Sequence, residues 1–412
     1  MYTRRVEPIP RDLEPIPPAV RTLVDTLAAA GHEAYLVGGC VRDLVQGRTP
    51  VDFDLATSAS PQAVLAVFAT AVPIGLQHGT VMIPTDAGPV DVTSFRAGPR
   101  IEDDLGHRDF TLNALAYDPR RRALFDPYDG LADLLKHRLR AVGAARDRFA
   151  EDPLRALRAA RLVATLGLDL DPEVERAMPA AREPLRRVAR ERVRREVAAL
   201  LLGPGVAEAL ALLRRTGIEH DLAPGVLPDA DAVVAALPRD LALRLAGWLR
   251  GTSAGPICRR LRFPRRVSAR VDHLVRRHPV DENVEVSSGA TVRRLIKRAG
   301  EQDLDALIAL RACELRHGRG ASSEGAAAAR DRLRDLEQAV TRMRQTGHLA
   351  LQRLDLAIDG REVIARLGCP PGPLVGRALA YLTDRVVEDP SRNSPEVLRD
   401  LLAAWARDLR LP

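Results

Sequence analysis

Apolar and polar positions follow two different rhythms along the 412-residue chain. Up to about residue 128, short runs rich in β-branched residues alternate with stretches of helical spacing, and residues 34–37, 51–55, 80–84, 90–95 and 114–117 read as strands. That alternation predicts an α/β or α+β head. From about residue 150 the pattern turns to Leu, Ala, Arg and Glu at helical spacing, with Pro and Gly gathered at joints such as 203–205 and 224–228. The remainder is expected to be all-helical, with connectors near 281–289 and 318–325 and no fixed-period repeat.

A chain of this length exceeds one compact core, since domains run to roughly 100–200 residues. Hydrophobic residues at 46% and charged residues at 28% predict a folded chain without large-scale disorder. Aromatic residues make up only 3%, which argues against large platforms for stacking bases. The net charge of +7 suits a polyanionic partner, although basic proteins without one are common. Lysine occurs only at Lys136 and Lys297, so nearly all the positive charge is arginine, whose planar fork grips phosphates and carboxylates. Cys40, Cys258, Cys313 and Cys369 form no closely spaced pair, so neither a zinc site nor a disulfide framework is expected. The N-terminal segment lacks a signal-peptide core and no stretch reaches the roughly 18 apolar residues of a membrane span, which predicts a cytoplasmic protein without membrane contact.

The candidate chemistry begins at Gly38 and Gly39, placed between a predicted strand and a predicted helix. A backbone without side chains there either makes a tight turn or lets a phosphate approach the helix N–H groups. Asp52 and Asp54 follow, two apart on the predicted strand 51–55 and therefore on one face. Adjacent carboxylates repel unless a cation compensates them, and hard oxygen ligands suit Mg²⁺, which shares its shell with water and substrate phosphates; a solvated acidic edge is the other reading. Asp91, in the strand 90–95, is a candidate third carboxylate for two-metal phosphoryl transfer.

Arg108, Asp109 and Asn113 are polar positions among apolar ones at helix-start spacing. Arg108 could hold a triphosphate, and Asp109 and Asn113 the sugar hydroxyls; Asp109 alone reads equally as a helix cap. Arg155, Arg158 and Arg161 spread over about a third of a helix circumference, either as a solvated basic flank or as a working one. Asp152 and Arg155 are either an ordinary i,i+3 ion pair or a base-reading pair. In the second reading the carboxylate accepts from an exocyclic amine and the guanidinium donates to a ring nitrogen or carbonyl, which selects cytosine or adenine without a template.

Taken in order, these stretches resemble the class II tRNA nucleotidyltransferases, the family of CCA-adding enzymes and bacterial poly(A) polymerases. The resemblance rests on Gly38, Gly39, Arg42 and Asp43 with Asp52 and Asp54, on Arg108 to Asn113, on Asp126 to Leu131, on Glu151, Asp152 and Arg155, and on Glu191 to Glu196. It continues into the C-terminal region at 358–364 and 368–376. It implies an α+β fold class: a nucleotidyltransferase head with a mixed β-sheet at 1–138, then a helical neck at 139–202 with the base-selecting motif, a helical body at 203–282 and a helical tRNA-binding tail at 283–412. It also implies Asp52 and Asp54 as Mg²⁺ ligands, and a nucleotide site drawn from Gly38, Gly39, Arg42, Arg108, Asp109, Asn113, Asp152, Arg155, Arg158 and Arg161. The implied partners are the 3′ end and acceptor arm of tRNA, and CTP with or without ATP. Oligomeric state is left open.

Two features depart from the family pattern. Between Arg96 and Arg108 the chain carries a much shorter connection than the flexible loop of CCA-adding members, and loss of that loop goes with addition of the two cytidines alone. His107 stands where a second arginine is usual. Residues 74–81, including His78, resemble the tRNA-specific branch and disfavour poly(A) synthesis. Retention of both metal aspartates speaks against a lapsed, merely RNA-binding relative. His220 and Asp221 are the only adjacent pair that could seed a phosphohydrolase metal cluster, and a helix end is the expected setting instead.

Overall fold

A computed structural model describes residues 9–75, 79–282, 288–345 and 356–409. The chain divides into two compact units, residues 1–222 and 223–412. The boundary expected at 202/203 has no counterpart in that division, because α11 (Val206–Arg215) and α12 (Ile218–Leu222) fall in the first unit.

The first unit is built on an eight-stranded sheet in the order β1-β8-β7-β2-β3-β6-β5-β4. Its strands are β1 (Ile9–Pro10), β2 (Ala34–Val37), β3 (Phe53–Thr57), β4 (Val72–Gly75), β5 (Thr80–Thr85), β6 (Gly88–Ser94), β7 (Ala116–Asp118) and β8 (Ala123–Phe125). β3 and β6 run parallel and the other described pairs antiparallel, so the sheet is mixed. The period of two sorts the side chains into two cores. Ala34, Leu36, Phe53, Leu55, Val90 and Val92 face a core covered by α1 (Pro18–Ala29), α2 (Gly39–Val45) and α3 (Pro61–Val67). Tyr35, Val37, Ala56 and Ala116 face a second core capped by Ile101 and Leu105 of α4 (Ile101–Leu105).

The sequence-based strands hold with shifted ends. β3 starts at Phe53, so Asp52 lies on the bend before it, and Val51, read as a strand residue, is 98% exposed. β7 starts at Ala116 because Thr111–Asn113 close a 3-10 turn that uses the preceding residues. β4 carries Pro73, which argues against a strand, and β8 is only three residues long.

Helices follow the sheet: α5 (Gly130–Leu135), α6 (Ala145–Glu151), α7 (Leu154–Leu166), α8 (Pro172–Ala177), α9 (Arg182–Leu185) and α10 (Arg190–Leu202). One exception interrupts the all-helical expectation, the two-residue parallel pair of β9 (Arg138–Leu139) and β10 (Asp169–Leu170). α7 is nearly all buried, with Leu154, Leu157, Leu162 and Val163 packed and Gly167 ending it in the left-handed conformation. Gly203 lies against the backbone of Ala164, at a spacing any side chain would break.

The second unit is helical throughout its described residues, from α13 (Ala230–Ala236) through α14 (Leu241–Leu249), α15 (Ala254–Arg260), α16 (Arg265–Arg277), α17 (Gly289–Ala299), α18 (Glu301–His317), α19 (Glu324–Gln345), α20 (Gly360–Leu367) and α21 (Pro373–Glu388) to α22 (Pro395–Asp408). The stretch expected as a connector at 318–325 joins α18 to α19, whereas 283–287 of the other lies outside the described residues. In the tail region Asp359 caps α20, accepting from the amides of Arg361 and Glu362 at 2.9 Å. Val363, Leu382 and Leu398 form its core. Among the described residues no helix is long and apolar enough to cross a membrane.

Candidate active site

Three aspartates meet on one face of the sheet. Asp54 and Asp91 are register partners across the parallel β3–β6 pair, and Asp52 sits at the mouth of β3. Phe53, Leu55, Val90 and Val92 point into the first core, so Asp54 and Asp91 take the opposite face. Asp54 keeps solvent access but is crowded by protein, as on the floor of an open cleft. Burial, the charge of Asp52 and that of Asp91 push its carboxyl up to about 6 against the pull of Arg108. Asp91 is also raised, first by burial and then by Asp52.

Elsewhere in this arginine-rich unit some carboxylates each hold two arginines. Asp133 takes Arg138 at 2.6 Å and Arg140 at 2.9 Å, and Asp221 takes Arg182 and Arg186, each at 2.7 Å. Asp52, Asp54 and Asp91 have no side-chain hydrogen bond or ion pair of that kind among the described residues. Uncompensated negative charge on hard oxygens is the donor set a divalent cation takes. No group of three or more His, Cys, Asp or Glu side chains encloses a metal among the described residues, so the aspartates form an open edge and not a cage. Asp221, held by two arginines beside an exposed His220, does not build the phosphohydrolase cluster weighed from the sequence.

Beside the aspartates the chain turns from β2 into α2 through Gly38, whose φ of 76° favours glycine. A Cβ there would meet Arg108 Nη1 at 3.0 Å, so the bare backbone also makes room for that guanidinium. Buried Asp104 holds the other end of Arg108, accepting from Nη2 at 3.0 Å and Nε at 3.3 Å. Gly39 opens α2, with Arg42 Nη2 3.5 Å from where its side chain would begin.

From Arg42 a continuous polar chain leads into the helices. Arg42 Nη1 donates to Asn113 Oδ1 at 2.9 Å, and Asn113 Nδ2 donates to Asp109 Oδ1 at 3.1 Å. Asp109 Oδ2 accepts from Arg158 Nη1 at 2.8 Å. Glu196 of α10 then takes Arg161 Nε at 2.6 Å and lies 3.6 Å from Arg158 Nε. Asp109 is buried, yet Arg158, Asn113 and the amide of Phe110 outweigh the burial penalty and draw its carboxyl down to about 2. It caps no helix.

The base-reading candidates are engaged with protein. Asp152 Oδ1 accepts from the amide of Leu154 at 3.1 Å and Oδ2 from Arg192 Nη2 at 2.7 Å. Arg155 is buried, its Nη1 donating to Glu151 at 2.8 Å and its Nη2 to the carbonyl of His107 at 2.8 Å. Arg155, Arg158 and Arg161 therefore do not form a solvated basic flank. The side chains of Asp152 and Arg155 do not bond each other; the two residues are joined through the amide of Arg155, which donates to the carbonyl of Asp152 at 3.0 Å.

The short connection is partly helical. After Phe95 the chain passes five residues to α4, where Asp103 pairs with Arg100 at 3.1 Å. His107 turns its Nδ1 to the carbonyl of Asp103 at 3.0 Å, and Arg148 Nη1 donates to the carbonyl of Gly106 at 2.8 Å. His78 lies outside the described residues. Sequence reasoning missed Asp104, Glu196 as a side-chain partner, Arg148 and Arg192. Only Asp104, one helical turn before Arg108, left a signal.

Residues 34–140 match the family described as the poly A polymerase head domain, and 167–229 that described as the probable RNA and SrmB-binding site of polymerase A. The chain is 45% identical over 203 residues to the CC-adding tRNA nucleotidyltransferase of Shouchella clausii, spanning 49% of this chain and 53% of that relative. It is 30% identical over 419 residues to the CCA-adding enzyme of Limosilactobacillus fermentum, 96% of this chain and 97% of that one. Thus the chain matches about half of the first relative and nearly all of the other. The fold also matches the crystal structure of the Bacillus stearothermophilus CCA-adding enzyme in complex with CTP, with a TM-score of 0.74, 28% identity and coverage of 96% of this chain and 99% of that one.

Proposed function

The chain belongs to the family of CCA-adding tRNA nucleotidyltransferases, and from that membership we propose that it extends the 3′ end of tRNA from CTP, without a template, adding the two cytidines and stopping there. The observation that carries the proposal is the set of aspartates at 52, 54 and 91, which have no ion pair among the described residues, in a unit where Asp133 and Asp221 each hold two arginines.

In this reading Asp52 and Asp54 hold Mg²⁺, with Asp91 as the third carboxylate. Bound there, the ion would supply charge neutralisation at the triphosphate and acidify the attacking 3′ hydroxyl. The 3′ hydroxyl gives its proton to solvent water, its oxygen attacks the α-phosphorus, the bond to the α,β-bridging oxygen breaks, and pyrophosphate leaves with that electron pair. Gly38 and Gly39 keep the backbone low beside the phosphates, and Arg108, anchored by Asp104, brings a fixed positive charge to them. Arg42 and Asn113 stand at the sugar side, their positions set by Asp109 and Arg158. Asp152 and Arg155 read the cytosine edge once they exchange Arg192 and the His107 carbonyl for the base.

Restriction to cytidine draws its support from the short connection before Arg108, whose α4 buries Ile101 and Leu105 and so leaves little slack to reshape the pocket for adenine. A full CCA-adding activity is the competing reading, because the L. fermentum relative that spans the whole chain bears that name. Incorporation of CMP into tRNA lacking its 3′ CCA, with and without Mg²⁺ and with Asp52→Ala, tests the core of the proposal; incorporation that survives Asp52→Ala would refute it.

A further inference from the structure

Asp152 sits at the joint of two helices, where its backbone is pinned and its side chain is not. Its amide donates to the carbonyl of Arg148 at 3.2 Å at the end of α6, and its carbonyl accepts from the amide of Arg155 at 3.0 Å in the first turn of α7. Pro153 follows with its φ fixed at −64°. The backbone cannot shift without breaking both helix ends, whereas the carboxylate can still turn about its side-chain bonds.

Both oxygens of that carboxylate are in use. Oδ1 accepts from the amide of Leu154 at 3.1 Å, and Oδ2 accepts from Arg192 Nη2 at 2.7 Å. Arg192 stands in the first turn of α10, which packs on α7 through its buried Val193 and Val197. Its side chain is 46% exposed and that of Asp152 27%, so the ion pair can open into water at small cost. Asp152 also lies beside the polar chain that leads from Arg42. The charge of Asp109, followed by those of Glu196 and Asp152, raises the pKa of Arg158 against burial.

We propose that Arg192 is a built-in competitor for the base: its guanidinium occupies the Asp152 oxygen that would otherwise accept the exocyclic amine of cytosine, so nucleotide entry displaces it and the ion pair sets the affinity for CTP. Guanidinium and exocyclic amine are both N–H donors to a carboxylate, and one can stand in for the other. Uracil has a carbonyl where cytosine has the amine, so it gains nothing from an emptied carboxylate and would face it acceptor to acceptor. A brace that only aimed the carboxylate would act in the opposite sense, and its removal would weaken CTP and bring UTP closer. Two observations favour the competitor. Oδ1 is already oriented by the amide of Leu154 on a pinned backbone, and Arg155 is turned to Glu151 and the carbonyl of His107, so the pair is not lined up on a base while Arg192 is in place. The inference rests on the proposed reading of Asp152 as a base-reading residue.

The test is equilibrium binding of CTP and of UTP to the full chain with Mg²⁺, measured by isothermal titration calorimetry without RNA. Arg192→Gln should tighten CTP by about two- to fivefold, the worth of an exposed ion pair, and leave UTP unchanged or weaker, so the preference for CTP rises. In an Asp152→Asn background the same substitution should change nothing, as a double-mutant cycle requires if Arg192 acts through that carboxylate. Arg195→Gln, which removes an exposed charge from the same helix that has no ion pair among the described residues, should keep the wild-type preference. A preference unchanged or narrowed by Arg192→Gln would overturn the inference, as would an equal rise in the Arg195 variant or in the Asp152→Asn background. If Asp152→Asn alone leaves the preference as it was, the base-reading assignment falls and takes the inference with it. A preference that rises as expected in a protein that transfers no nucleotide would leave the inference standing and sink the proposed function instead.

Discussion

Arg155 Nη2 donates to the carbonyl oxygen of His107 at 2.8 Å, tying α7 to the end of the short connection before Arg108. Arg148 grips the adjacent carbonyl of Gly106, and Glu151 holds Arg155 from the other side. In the proposed reading of Arg155 as a base-reading residue, discrimination depends also on Glu151, which need not touch the base. Glu151→Gln should loosen Arg155 and narrow the preference for CTP over UTP, measured as the ratio of kcat/KM values, by about tenfold or more, since a good bidentate base contact is worth about 1–3 kcal/mol. An unchanged ratio would detach Glu151 from selectivity.

The aspartate edge should control the chemical step. Asp52→Asn and Asp54→Asn should each remove several kcal/mol of transition-state stabilisation, a loss of at least about a hundredfold in kcat. Asp91→Ala should cost less if its part is auxiliary. Single-turnover incorporation at saturating RNA reads all three; full activity and metal affinity in Asp91→Ala would remove it from the site.

Asp54 sets a pH dependence whose sign is fixed. Its carboxyl is raised to about 6, so without metal the proton is held better in the folded than in the unfolded chain. That stabilisation is fully present below the ordinary carboxylate range and is lost as pH rises through about 6. Metal-free wild type should therefore melt below Asp54→Asn above that pH and approach it in acid. At limiting Mg²⁺, incorporation should fall as pH drops through the same region, because proton and cation compete.

Asp109 behaves in the opposite sense. Its carboxyl is drawn down to about 2, so the stability it contributes is present above the ordinary carboxylate range and lost as pH falls through about 2. Arg158→Met leaves the buried carboxylate without its cation. Thermal or denaturant unfolding at neutral pH should register a loss near the lower end of about 3–5 kcal/mol, because Arg158 is itself partly exposed. Rescue by Asp109→Asn in the same background would identify the uncompensated charge as the cause.

The parts of this molecule that depend on local pattern were readable in advance. β2 matches the expected 34–37 because four successive buried residues end at a glycine turn. Asp54 and Asp91 were both legible as strand positions. Their register as neighbours was not, because pairing of β3 with β6 spans more than thirty residues and leaves no local mark. The same limit hid the partners of the arginines. Spacing alone put Arg155, Arg158 and Arg161 on one flank, but Glu196, which claims two of them, lies on another helix. Arg192 reaches Asp152 across forty residues. β4 was hidden by Pro73, a residue that argues against a strand, and β8 by its length of only three residues.

Nucleotide addition to a tRNA transcript lacking its 3′ CCA, offered CTP alone, ATP alone or both, and to a second transcript already ending in CC, tests the proposed activity most directly. The expected result is two cytidines added to the first transcript and no adenosine added to either. Adenosine on the transcript ending in CC would contradict restriction to cytidine and make this a full CCA-adding enzyme; failure to incorporate either nucleotide with Mg²⁺ present would contradict the assignment of Asp52 and Asp54 as its catalytic centre.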